Sequence, residues 1–136
     1  MSALAIRAAL EIALAALSPP LDTNWENAKP DFVAAPPYQR VWLMMAEPDN
    51  PEMGGAVQDR GIMQITLCYP LDAGPGDAMA RAELIRAAFP RGTALTNSGV
   101  VTVIEKTPEI SPARIEEDQY VVPVRVRFFA NYGAGV

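Results

Sequence analysis

The chain has 136 residues, is 50% apolar and 20% charged, and carries a formal charge of -5. Its length indicates one domain, residues 1–136, and its acidic balance excludes tight binding of nucleic acid, because affinity for phosphates requires a basic surface. Histidine is absent and Cys68 is the one cysteine, which excludes Ser–His and Cys–His nucleophiles and thiolate metal clusters, so we expect no enzyme activity, cofactor or metal.

The first predicted element is an amphipathic helix over residues 2–17, with Ser2 as its N-cap. Apolar side chains recur along it at helical spacing and form one stripe: Ile6, Leu10, Leu14 and Leu17. Alanine fills most other positions, which favours close packing on another element, and Ser18-Pro19-Pro20 ends the helix. Because Arg7 and Glu11 interrupt the apolar run, we expect neither a secretory signal nor a membrane span.

A long-armed hairpin is predicted next. Residues 21–37 are interpreted as irregular apart from a short strand around Trp25. The run from Tyr38 to Ala46 is rich in aromatic and apolar residues, which predicts a strand with both faces largely covered. The run from Glu47 to Arg60 contains two prolines, a Gly-Gly pair and an excess of acids, and is predicted as a long loop. A second strand follows from Gly61 to Tyr69.

Asp77 is predicted to cap a second helix, and Arg81 and Arg86 are placed on faces of this helix other than its apolar stripe. The buried stripe of this helix is predicted to be Ala78, Ala82, Ile85 and Phe89. The preceding Gly74-Pro75-Gly76 lacks the further glycines or the Gly-Lys-Ser/Thr ending of a phosphate loop. We therefore interpret this turn as a helix cap.

Two further strands are predicted, from Gly99 to Thr107 and from Gln119 to Phe129. Alternate side chains of the second share one apolar face: Tyr120, Val122, Val124, Val126 and Phe128. Pro123 in its middle implies an edge position or a bulge. The order of elements predicts an α+β fold, a mostly antiparallel or mixed β-sheet with two helices packed against it.

Two groups of charged residues have alternative interpretations. Glu116, Glu117 and Asp118 could serve carboxylate-based hydrolysis or hold a divalent metal, but a solvated hairpin turn is favoured. Arg125 and Arg127 lie on the strand face opposite the apolar one. There they meet either solvent or the acids of a neighbouring copy.

A few single residues also have structural interpretations. Cys68 is interpreted as a small buried hydrophobe. Tyr38, Trp25 and Trp42 have large apolar areas and are interpreted as anchors of the core or of an interface. The sequence does not decide between these two roles.

Several stretches in this order resemble the tail-terminator-like proteins of long-tailed phages and prophages. They are an Ala-rich helix ending in LSPPLDTNWEN, then PPYQRVWLMMAEPDNPEMGG, RGIMQITLCYP, AAFPRGT and a closing YVVPVRVRFFA. The resemblance covers nearly the whole chain. Its more specific part is the EPxNPxxGG loop before an RGIxQI strand.

The resemblance implies a virion structural protein, assembled in the host cytoplasm, that forms a homohexameric ring on the last ring of the tail tube. Such a ring stops tube growth and docks the head, so its partners are the tail tube protein and a head-completion or connector protein. The resemblance implies no catalytic, cofactor or metal residue. The loop matches the family's loop in position, and its assembly residues would be Glu47, Asp49, Asn50, Glu52, Gly54, Gly55, Asp59 and Arg60.

Two alternatives stay open at the level of sequence. The chain could be another head–tail connector or minor tail subunit. A remoter alternative is a small carboxylate-based hydrolase that uses the acids around Glu116. Deletion of the gene discriminates, because loss of a structural subunit would change tail length or head joining.

Overall fold

The computed structural model describes residues 2–28, 36–48 and 57–132, apart from the side chains of Ser2 and Tyr132. These ranges contain helices α1 (Ser2–Ala15) and α2 (Gly76–Ala88), neither of which is long and apolar enough to cross a membrane. The strands are β1 (Thr23–Asn24), β2 (Tyr38–Met45), β3 (Val57–Pro70), β4 (Ala94–Asn97), β5 (Val100–Ile104), β6 (Glu109–Ile110), β7 (Arg114–Glu116) and β8 (Gln119–Tyr132). They form one sheet with both helices on one face, so the predicted α+β fold is confirmed.

The sheet is built around two long strands. Its order is β1-β2-β3-β8-β5-β4, and the short β6 and β7 also pair with β8. All pairs are antiparallel except β1 with β2. β3 and β8 pair along their whole length, from Val57 opposite Tyr132 to Pro70 opposite Gln119. At 14 residues each, they make a ladder roughly 45 Å long.

β3 begins at Val57 rather than at the predicted Gly61, and the preceding loop is correspondingly shorter. Asp59 and Arg60, predicted in the loop, therefore lie in the strand. The physical reason is that β8 also runs further than predicted, to Tyr132, and supplies backbone partners for these two residues.

The core lies between the sheet and the helices. The predicted stripe of α1 is confirmed, because its first three members are buried and Leu17 packs against them. The predicted stripe of α2 is buried throughout. The predicted apolar face of β8 is confirmed as well, with Tyr120 half-buried at its end. Alternate side chains of β3 complete this core: Met63, Ile65 and Leu67.

α2 differs from the prediction at its start and on one face. It begins at Gly76 with Pro75 at the N-cap position, and no side chain makes a capping hydrogen bond. Asp77 lies in the first turn instead, where a carboxylate interacts favourably with the helix dipole. Arg81, predicted on a face other than the apolar stripe, is nevertheless buried, because the chain after α1 passes close by and the carbonyl of Pro19 accepts from Arg81 Nη1.

Pro123 lies in the interior of the sheet, so the predicted edge position is wrong. Its carbonyl accepts from the Ser111 N–H (2.9 Å) on the side away from β3. The backbone nitrogen and carbonyl of a strand residue point to the same side, so the nitrogen of Pro123, which has no hydrogen to donate, also faces the segment that contains Ser111. The proline therefore removes no hydrogen bond to β3. Between the pairs Ile110–Val124 and Arg114–Val121, the segment that joins β6 to β7 has one residue more than the part of β8 opposite it. This bulge accommodates the proline.

The acid triplet is divided between a strand and a turn. Glu116, predicted in the turn, is the last residue of β7 and lies opposite Gln119. Glu117 and Asp118 form the two-residue turn, with φ of 48° and 60°. Positive φ at both central positions is the geometry that a tight hairpin requires, and Asp tolerates it better than most residues.

Candidate assembly surface

One face of the sheet points away from the helices, and we call it the outer face. The core between the sheet and the two helices lies on its other side. At the Tyr38 end of β2, the side chains of Tyr38, Cys68 and Val121 form a small buried cluster on this face. The prediction that Cys68 is a small buried hydrophobe is therefore confirmed. Toward the other end of β2 the outer face is open.

The open end of the outer face is apolar. Trp42 is 55% exposed and Met44 is 44% exposed. With three half-buried neighbours they form what we call the outer patch: Trp42, Met44, Ile62, Val103 and Phe129. The prediction that both faces of β2 are covered is wrong at this end, because no described element packs over it. Trp42 is thus a surface residue, whereas Trp25 packs against the core.

Arg125 and Arg127 lie on the outer face beside the outer patch, on the predicted side of β8. Arg125 Nε donates to Gln64 Oε1 (3.2 Å), and Arg127 Nη1 donates to Glu109 Oε1 (3.0 Å). The hydrogen bond from Arg127 lowers the pKa of the Glu109 carboxyl. Arg127 thus has an ionic partner in its own chain, whereas Arg125 lies opposite Glu109 without forming an ion pair at contact distance with any described residue.

Glu116 is held by two arginines and is not set up as a general acid. Glu116 accepts from Arg114 Nε (2.9 Å) and from Arg40 Nη2 (3.5 Å). The hydrogen bond from Arg114 is the main reason that the pKa of the Glu116 carboxyl is lowered, whereas a general acid needs a raised pKa. In the part of the chain that the structure describes, no three His, Cys, Asp or Glu side chains meet as a metal site.

Only part of the predicted assembly loop belongs to the described residues. Its members Asp49, Asn50, Glu52, Gly54 and Gly55 lie outside them. Glu47 is exposed just after β2. Asp59 is buried on the helix side of β3, whereas Arg60 is exposed on the outer face and its Nε donates to Gln58 Oε1 (3.0 Å). The described members are therefore divided between two faces of the sheet.

A second accessible apolar surface lies on α1, on the side away from the sheet. Leu4 is 67% exposed and Ile12 is 62% exposed. We call this surface the outer stripe: Leu4, Ala8, Ile12 and Ala15. The sequence pattern of α1 predicted a single apolar stripe, which does not include this surface. The signal that could have revealed it is the four-residue spacing of Leu4, Ala8 and Ile12, in which a small alanine separates the two large side chains.

The free edge of β2 is closed by a side chain. β1 pairs only with Gln39 and Arg40 of β2, so the second half of β2 extends past it. There the Leu43 N–H donates to Glu26 Oε1 (2.8 Å), which also accepts from Arg7 Nη2 (3.3 Å). The Glu26 carboxylate thus occupies the position at which an added strand would form a hydrogen bond.

Comparisons with known proteins agree with this architecture. Six chains of solved structures match, and one of them shares the fold with a TM-score of 0.79 at 24% sequence identity, over 97% of this chain and 97% of its own length. No curated protein sequence matches the chain. The family model described as phage tail terminator protein matches residues 5–128, nearly the whole length, and the chain therefore belongs to the phage tail terminator protein family.

Proposed function

We propose that the chain is the subunit of a homohexameric ring that caps the phage tail tube, ends tube growth and forms the surface to which the head is joined. Family membership gives a structural role in the phage tail, and the ring with its two contacts is the proposal. The partners are other copies of the chain, the tail tube protein and a head-completion or connector protein. The ring belongs to the virion, is assembled in the cytoplasm of the bacterial host, and carries no catalytic activity, cofactor or metal.

The outer face is the observation that supports assembly. Trp42 and Met44 are exposed near each other on a sheet face that no described helix covers. Exposed apolar patches of this kind are typical of protein–protein contacts. Arg125 and Arg127 border the outer patch, and an apolar centre with a polar rim is the usual anatomy of an interface.

The described members of the predicted assembly loop give partial support to a contact at the same end of the sheet. Glu47 follows the end of β2 and Arg60 lies opposite Phe129 of the outer patch, whereas Asp59 is on the other face of the sheet. A contact that includes Arg60 would be continuous with one made by the outer patch. We therefore assign the loop to contacts within the ring or with the tail tube.

Deletion of the gene from the phage tests the capping role. We expect tails of uncontrolled length that fail to join heads, visible by electron microscopy, and normal particles when the wild-type chain is supplied in trans. Tails of normal length joined to heads would contradict the proposal. Tails of normal length without heads would support the alternative of a head–tail connector.

A double substitution tests the arginines of the outer face. Because both side chains point away from the core, Arg125→Glu with Arg127→Glu should still fold, with a modest loss of stability from the broken Arg127–Glu109 ion pair, but should assemble less, since carboxylates would accumulate beside Glu109. Arg91→Glu, in the exposed turn after α2, is the control and should assemble normally. Assembly of the double variant at the wild-type level would remove these arginines from the interface.

A further inference from the structure

We propose that the outer stripe of α1 on one copy packs against the outer patch of the next copy, so that the ring closes through two different surfaces. This inference rests on the proposed function, because it names the surfaces by which the subunits of that ring meet. The occupant of the outer patch is a second copy of this chain, since every copy carries both surfaces.

The two surfaces lie on opposite sides of one subunit. The buried side chains of α1, such as Ile6 and Leu10, point toward the sheet, and Leu4 and Ile12 lie on the other side of the helix. The outer patch lies on the sheet face that points away from α1. A contact between the two surfaces therefore joins separate copies head to tail. Repeated head-to-tail contacts give a ring when the rotation between copies closes.

The shapes and compositions of the two surfaces suit each other. On the outer stripe, the small Ala8 separates the larger, exposed Leu4 and Ile12. On the outer patch, the large side chains of Trp42 and Met44 are exposed and can pack between them. Aromatic and methionine side chains are enriched in the centres of interfaces, where they bury large apolar areas.

The charged groups that make no ion pair differ in balance between the two sides. On the outer face, Arg60 and Arg125 make no ion pair within the described ranges. On the helix side, two acids and one arginine of α2 are exposed and likewise make no ion pair with any described residue: Asp77, Glu83 and Arg86. Contact between unlike faces brings opposite charges together, whereas contact between two outer faces would bring the arginines together. The charges therefore favour the head-to-tail arrangement.

Two substitutions, one on each surface, test this arrangement. Ile12→Glu places a charge on the outer stripe, and Trp42→Glu places one on the outer patch. Neither side chain is in the core, so both variants should fold, as circular dichroism would show. The control is Ile115→Glu, which changes another exposed isoleucine, in β7, outside both surfaces.

We expect sedimentation at increasing protein concentration to show rings for the wild type and for Ile115→Glu, and monomers for Ile12→Glu and Trp42→Glu alone. An equimolar mixture of these two variants should form one-to-one dimers and nothing larger, because only one unmodified pair of surfaces remains. Rings from either variant alone, a mixture without dimers, or a wild type that stays monomeric would each overturn the inference. The deletion experiment decides the capping role separately, whichever result is obtained.

Discussion

Gly61 lies at a position of β3 that has no room for a side chain. A Cβ atom there would lie 2.5 Å from the carbonyl oxygen of Met44 and 2.7 Å from Cζ of Phe128. Because backbone and a buried ring supply these contacts, we expect Gly61→Ala to lower the free energy of unfolding by about 1–3 kcal/mol in urea titrations. Gly76→Ala is the control, since no atom lies within 4 Å of its Cβ position. Equal stability of the two variants would contradict this account of Gly61.

Two carboxylates make the stability of the protein change with pH in the acidic range. Hydrogen bonds from Arg127 and Arg114 lower the pKa values of Glu109 and Glu116 below their ordinary value of 4.5. Their stabilising contribution is therefore fully present above pH 4.5 and is lost as the pH falls through the lowered values.

As the pH is lowered below 4.5, we expect the variant Glu109→Gln/Glu116→Gln to lose less stability than the wild type. Urea denaturation followed by circular dichroism at several pH values would measure this. Glu83→Gln, which removes an exposed carboxylate without an ion pair among the described residues, is the control and should keep the pH dependence of the wild type. The same pH dependence in all three proteins would contradict the assignment.

At the scale of elements, the apolar periodicity of the sequence predicted both helices and the long strands. It did not predict the short β4, β6 and β7, because strands of two to four residues contain too few alternations to show a period. The start of β3 was also missed, since it depends on pairing with residues about seventy positions away in β8. Likewise, the burial of Arg81 depends on an acceptor from a distant segment, and sequence spacing carries no information on it.

The two sides of α1 should differ in their effect on stability. Leu10 is fully buried in the core, whereas Ile12 is 62% exposed on the outer stripe. We expect Leu10→Ala to lower the free energy of unfolding by about 2–5 kcal/mol. Ile12→Ala, the matched control, should change it by less than about 0.5 kcal/mol. Chemical denaturation of both variants as monomers would measure the difference, and similar losses would place Ile12 in the core.

At the scale of the whole molecule, the net charge is -5, but the positive and negative residues are unevenly distributed over the surface. Several arginines share the outer face: Arg40, Arg60, Arg125 and Arg127. Two of them, Arg40 and Arg127, are held in ion pairs with glutamates of the same chain. The outer face is therefore suited to contact an acidic protein surface. The total charge of the sequence does not reveal that the arginines are gathered on this face.

We expect the purified protein not to retain duplex DNA at physiological salt, because the net negative charge repels the phosphates and the few arginines of the outer face are partly neutralised. A mobility-shift assay over a series of salt concentrations would measure this. A retained complex with sub-micromolar affinity would contradict this prediction.

The hydrogen bond between the Leu43 N–H and the Glu26 carboxylate has a consequence for the time before assembly. A subunit of the proposed ring exists first as a separate chain, and an open strand edge on such a chain is a template for aggregation. An incoming strand would have to displace a charged acceptor that Arg7 also holds. The Glu26 carboxylate thus opposes strand addition at this edge of the separate subunit, while the faces proposed to meet in the ring stay apolar.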